Sequence, residues 1–117
     1  MAIKVRALSF EPDTIRKGTT QVTVSFEAKA GSMASRDVVF LLTVEEEQPV
    51  FIITEEGEQV KSDRSEKDIE ASWTLYEMEV GFELTEGQSR LQPCQVVLEA
   101  TDANGDTSST EGVLYFK

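Results

Sequence analysis

Asp102, Asn104 and Asp106 set three side-chain oxygens on alternate residues, D-x-N-x-D, the opening of a loop whose oxygens converge on a hard cation such as calcium. The rest of such a loop does not follow. Glycine falls at the fourth position, Gly105, rather than the sixth, and Val113 stands where a bidentate carboxylate would close the shell. The same residues are what a tight turn requires, because Asn104-Gly105 tolerates positive φ at both positions. The turn is the preferred reading, and calcium the weak alternative. Glu77 and Glu79 are a second pair, same-face neighbours on a strand. Two carboxylates can cleave a glycosidic bond if one has its pKa raised, but a wet strand face shows the same alternation with nothing to raise either. The hydroxyls of residues 107–110 have no base beside them in the pattern. The chain holds no histidine, which removes the commonest general base, the triads built on it and most zinc sites. Cys94, the single cysteine, is in phase with the apolar face of its strand and reads as a small core residue. Trp73 and Tyr76, with the acidic run 45–58, could line a platform for sugar stacking, although a lone Trp in a strand more often centres the core. No enzyme activity and no cofactor are expected.

The elements that must position these residues are strands. Val22, Val24, Phe26 and Ala28 alternate with Thr23, Ser25 and Glu27, the period-two pattern of a sheet with one wet face. Cys94, Val96, Leu98 and Ala100 repeat it, and after the turn at 102–106 a return strand ends in Val113 to Phe116. The first strand alternates from Ile3, with Val5 and Ala7 facing in, and breaks at Glu11-Pro12, since proline cannot donate to a ladder. From Ile69 to Leu84 the apolar parity switches near Leu75-Tyr76, which predicts a bulge or a bend between strands. Residues 55–70 offer only Val60 and Ile69 to a core and read as a mobile loop or an irregular excursion. Val22, Val24, Phe26, Phe40, Trp73, Val80, Phe82, Val96 and Leu98 are the expected core. The count comes to seven or eight strands with no convincing helix, so the expected fold is all-β, an immunoglobulin-like Greek-key sandwich of antiparallel strands.

At 117 residues the chain is expected to be a single domain, 1–117, able to hide roughly two-thirds of its unfolded surface without a disulfide. The net charge of −11 argues against nucleic acid and anionic membrane surfaces, which call for a basic patch. Charge is uneven: residues 1–36 carry six basic against three acidic residues, net +3, and the remainder is acidic. No apolar run approaches membrane-spanning length, and MAIKVRALSF does not read as a signal peptide. A cytoplasmic or particle-borne protein is expected if the chain is complete, an extracellular one if it is an excised module.

The closing pattern V-x-L-x-A-T-D-A-N-G-D-T-S resembles the end of bacterial immunoglobulin-like and fibronectin type III-like repeats, whose last two strands meet at a D-x-x-G turn. The opening, LSFEPDTIRKGTTQVTVSFEAKA from Leu8 to Ala30, looks like the first two strands of such repeats. Antibody-type domains differ, with two bridged cysteines and a Tyr two residues before the second. Cys94 has no partner here and Gln92 holds the Tyr position. The resemblance implies a non-catalytic module for protein–protein assembly or adhesion, in a bacterial surface protein or a phage-like particle. A carbohydrate- or calcium-binding accessory module is the alternative.

The partner surface expected from the pattern lies in the stretch 38–53. Val38, Phe40, Leu42 and Val44 suffice for one buried face, so Val39 and Leu41 are surplus. So is one of the pairs Val50/Ile52 or Phe51/Ile53. Paired as a hairpin, these would form an outward apolar patch suited to self-association or a protein partner.

Overall fold

A strand that is apolar on one side must lay that side against a second layer. In the computed structural model, which describes residues 2–117, the strands do so in two five-stranded sheets. In chain order they are β1 (Lys4–Glu11), β2 (Thr14–Ile15), β3 (Gly18–Lys29), β4 (Ser35–Val44), β5 (Val50–Ile53), β6 (Gln59–Val60), β7 (Ser62–Ile69), β8 (Thr74–Leu84), β9 (Gln92–Thr101) and β10 (Thr107–Phe116). One sheet runs β1-β3-β8-β5-β6 and the other β2-β10-β9-β4-β7. The all-β expectation holds. The count is ten rather than seven or eight, because β2 and β6 are two-residue strands and β7 forms where a loop was expected. Among the described residues strand pairing is antiparallel except between β2 and β10, which run parallel, as does the isolated bridge Lys17↔Leu84.

The core lies between the sheets. Val22, Val24, Phe26 and Ala28 of β3 are fully buried, facing Phe40 and Leu42 of β4 and Cys94, Val96, Leu98 and Ala100 of β9. Phe26 meets Phe40 at 5.1 Å between ring centroids, and Phe10 meets Phe82 edge-on at 6.4 Å. The sheets come closest where β1 crosses β10. A Cβ on Gly112 would stand 2.9 Å from the Phe10 ring and 3.0 Å from the Leu8 carbonyl oxygen, so the absence of a side chain sets that spacing.

Four expectations need correcting. Val39/Leu41 and Phe51/Ile53 do not share a hairpin, since β4 and β5 enter different sheets and β5 pairs with β8 and β6 instead. In β1 the register slips between Arg6 and Ser9, with Ala7 at φ 60°, so Leu8 and Phe10 face in and Ala7 does not. The parity switch expected near Leu75-Tyr76 is the bend between strands rather than the bulge, and it lies earlier in the chain. β7 ends in one sheet and β8 begins in the other, joined through residues 70–73. Trp73 lies on that link and is only half-buried, outside the core, and Val80 is half-buried at its margin.

Candidate functional site

The crossing at 70–73 leaves the sandwich open along one side. β8 pairs with β3 over its whole length, Gly18↔Leu84 to Ala28↔Thr74 without a shift. On its other edge β5 covers only Gly81 to Leu84. Beyond Ile53 the chain turns away, Gly57 N donating to the Thr54 carbonyl at 2.9 Å, and returns as β6 on the far side of β5. The stretch of β8 from Leu75 to Val80 therefore has no strand on that edge among the described residues. Its inward side chains, Tyr76, Met78 and Val80, are only half-buried, whereas Phe82 and Leu84, shielded by β5, are fully buried.

Facing this edge across the gap is β7, the last strand of the other sheet. It pairs with β4 on one side only, Thr43↔Ser62 through Val38↔Lys67 and, past a slip, Ser35↔Ile69. Cross-strand partners point to the same face, so Asp63, Ser65 and Lys67 accompany Leu42, Phe40 and Val38 toward the interior. Inward polar groups on an edge strand discourage a chance strand from joining it. Between β7 and β8 lies a groove of about 570 Å³ with Leu42, Ile52, Met78 and Val80 as its apolar floor. Its rim carries Glu55, Glu56, Asp63, Glu66 and Glu79 against Arg64 and Lys67, five carboxylates to two cations. The volume is that of an ordinary ligand cleft, roughly 300–1,000 Å³.

Of the residues singled out from sequence, Ile52, Ile53 and Glu79 line this groove, and the others fall elsewhere or play other parts. Val50 and Ile52 are fully buried, so the surplus pair is Phe51/Ile53, half-buried on the outer face of its sheet. Phe51 is roofed by Lys61, whose Nζ stands 4.2 Å from the ring centroid. Val39 and Leu41 lie on the outer face of the opposite sheet, flanked by Glu66 and Thr101 and by Arg64 and Glu99 respectively. Polar neighbours break up the continuous patch expected there. At the β9–β10 turn the Asp102 carboxylate accepts the amides of Asn104 and Asp106, each at 3.0 Å, and Asp102 N donates to the Asp106 carbonyl. Those bonds make the D-x-N-x-D run a structural turn with its first carboxylate already engaged. Glu77 and Glu79 accept from Ser25 Oγ at 3.4 Å and Thr23 Oγ1 at 2.6 Å on the solvent face of β8. Arg6 sits over the Trp73 ring, 3.8 Å from its centroid, where a sugar would stack, and bridges to Glu27 at 2.8 Å. Tyr76 lies over Phe26, and its hydroxyl accepts Glu70 N at 2.7 Å. Cys94 is fully buried, and that burial pushes its thiol up from the ordinary value.

Two features were missed from sequence. Lys61 Nζ donates to the carbonyls of Glu45, Gln48 and Val50, pinning the β4–β5 link to the crossing from β6 to β7. The open edge of β8 had a signal: the alternation from Tyr76 to Leu84 is longer than any neighbouring apolar run that could cover it, since β5 supplies only Val50 to Ile53.

No family model matches the chain, and no curated protein matches it. Solved structures do. The sporulation control protein Spo0M from Bacillus subtilis superposes with a TM-score of 0.62 at 17% identity, over 100% of this chain and 50% of that one. A conjugative transposon lipoprotein from Bacteroides eggerthii gives 0.54 at 13% identity, over 96% of this chain and 95% of its own. A non-cellulosomal cohesin from the archaeon Archaeoglobus fulgidus gives 0.53 at 10%, over 100% and 92%. The chain thus spans half the length of the sporulation protein and nearly the whole of the other two, and at these identities what it shares with them is the β-sandwich fold.

Proposed function

We propose that the chain is a non-catalytic immunoglobulin-like module for protein–protein assembly or adhesion, carried by a bacterial surface protein or a phage-like particle. The observation that carries this reading is the groove between β7 and β8, an apolar floor left half-buried at Met78 and Val80 with an acidic rim, open along a strand edge. An extended polypeptide matches such a slot, because it satisfies backbone and side chains together. The surface 38–53 contributes to it through Leu42, Ile52 and Ile53 rather than through the outward residues Val39 and Leu41. The Greek-key immunoglobulin arrangement belongs to the same proposal, resting on the two-sheet sandwich that the chain shares with the cohesin.

Panning a displayed random-peptide library against the immobilised chain tests the reading. Convergent binders are expected, weakened at least about tenfold by Met78→Lys, which puts a charge on the groove floor, and unaffected by Leu91→Lys, which lies outside it. A library returning no specific binder to any surface of the chain would overturn the assignment.

A further inference from the structure

We propose that the groove takes up an extended segment of a partner protein as an added strand on β8, and that this segment alternates apolar with basic residues. The inference rests on the reading of the chain as a protein-binding module and specifies how it binds. Its first support is the phase of the backbone. Thr85 N donates to the Pro49 carbonyl at 3.0 Å across the β8–β5 pair, in the same register as Glu83↔Phe51 and Gly81↔Ile53. Backbone groups of alternate residues in a strand face the same neighbour. Odd-numbered residues of β8 therefore turn their N–H and C=O toward β5. Because β8 holds its register against β3 down to Thr74, the same is true of Glu79, Glu77 and Leu75, where β5 has already ended. These three residues present up to six backbone hydrogen-bonding groups along about 17 Å of edge. The slot is bounded at one end by β5 and the turn leading to β6.

Side chains then define the occupant. A strand laid along this edge places one set of its side chains beside Tyr76, Met78 and Val80, toward the apolar floor, and the other set beside Glu77 and Glu79 on the solvent face. The first set must be apolar and the second basic. β1 shows the same chemistry within the chain. It buries Val5 and sends the next residue, Arg6, across to Glu27 on β3. A second copy is a poor occupant. Joining β8 to β8 would set the Glu77 and Glu79 rows of two chains of net charge −11 beside each other, and like charges on neighbouring strands destabilise the pair.

The test uses the full chain, isotope-labelled, and the capped heptapeptide Lys-Val-Arg-Ile-Lys-Val-Lys. Amides of Leu75, Glu77 and Glu79 are expected to exchange freely in the unbound chain and to slow at least about tenfold on saturation. Peptide N-methylated at alternate amides facing β8 is expected to bind at least about tenfold more weakly, and so is a peptide of the same composition with the alternation scrambled. The double variant Glu77→Lys/Glu79→Lys changes exposed side chains and should exchange preference, losing the basic peptide and gaining Glu-Val-Glu-Ile-Glu-Val-Glu. Equal binding by the N-methylated peptide, or protection that lies away from Leu75 to Glu79, overturns strand addition. If library-selected binders occupy the groove yet tolerate that methylation, strand addition fails and the binding-module reading stands. If no peptide binds anywhere, both fall.

Discussion

Phe26 lies fully buried between Phe40 and Tyr76, with ring centroids at 5.1 and 5.7 Å. Truncating it leaves a cavity at the meeting of both sheets, so Phe26→Ala should cost about 3–5 kcal/mol in denaturant unfolding. A loss under about 2 kcal/mol would mean that the site collapses, and that the two layers are not held apart there. Lys61 acts in another way. Its ammonium bonds three carbonyls, and Lys61→Met, which keeps the stem but removes the donors, should cost about 1–2 kcal/mol. Cys94 yields a pH prediction. Burial raises its thiol, so as pH climbs the unfolded chain ionises first and draws the equilibrium toward itself. Stability tied to this group is intact below the ordinary value of 9.0 and falls above it. The decline between roughly pH 8 and 10 should be shallower in Cys94→Ala, and an unchanged slope would show that the thiol does not report burial. Alternation made Phe26 and Cys94 legible, because each is apolar, in phase and flanked by residues of the opposite kind. Trp73 was misread for a physical reason. It carries the parity of Ile69, but its place on a crossing between sheets sends it to Arg6 and Lys29, at 3.8 and 5.2 Å, and no period in the sequence encodes a crossing.

β7, Ser-Asp-Arg-Ser-Glu-Lys-Asp-Ile, contains one apolar residue in eight and still forms a strand. An edge strand can be held by its backbone ladder and a single anchor, here Ile69, so apolar periodicity does not reveal it. Val44 N donates to the Lys61 carbonyl at 2.9 Å, which sets the phase: Asp63, Ser65 and Lys67 face β4, and Arg64, Glu66 and Asp68 face out. Hydrogen exchange should alternate accordingly, slow at 63, 65 and 67 and fast at 64, 66 and 68. Uniformly fast exchange across 62–68 would return the segment to the mobile loop that its composition suggests. β4 and β5 show the converse failure. Their apolar runs lie close in sequence and read as partners, yet a short acidic link lets β5 cross to the other sheet, where β8 offers a longer apolar face than β9 does. The groove follows from that choice, since a four-residue β5 cannot cover an eleven-residue β8.

At the scale of the whole molecule, strand alternation made the all-β class legible, while the order of strands within the sheets depended on which edges meet, which no local period encodes. Charge can be carried directly from sequence to behaviour. Twenty-two carboxylates face eleven cations within a body of 48 × 25 × 21 Å. Among the described residues only two ion pairs form, Arg6–Glu27 and Arg64–Glu66, and all four side chains are more than a third exposed. Exposed pairs contribute about 0–1 kcal/mol each, so there is little specific attraction for salt to weaken. Repulsion is another matter. The folded chain has a radius of gyration of 14.5 Å, against about 35 Å for an unfolded chain of this length, so folding draws the excess negative charge together. In 10 mM salt the screening length is about 30 Å and every carboxylate feels the others; in 0.5 M it is about 4 Å and only neighbours interact. Sodium chloride over that range should therefore raise Tm by about 2–5 °C. Met78→Lys and Glu77→Lys/Glu79→Lys each reduce the net negative charge and should show a smaller rise than the parent. A Tm that falls with salt would show that attraction outweighs repulsion on this surface, and would remove the charge argument for a basic partner.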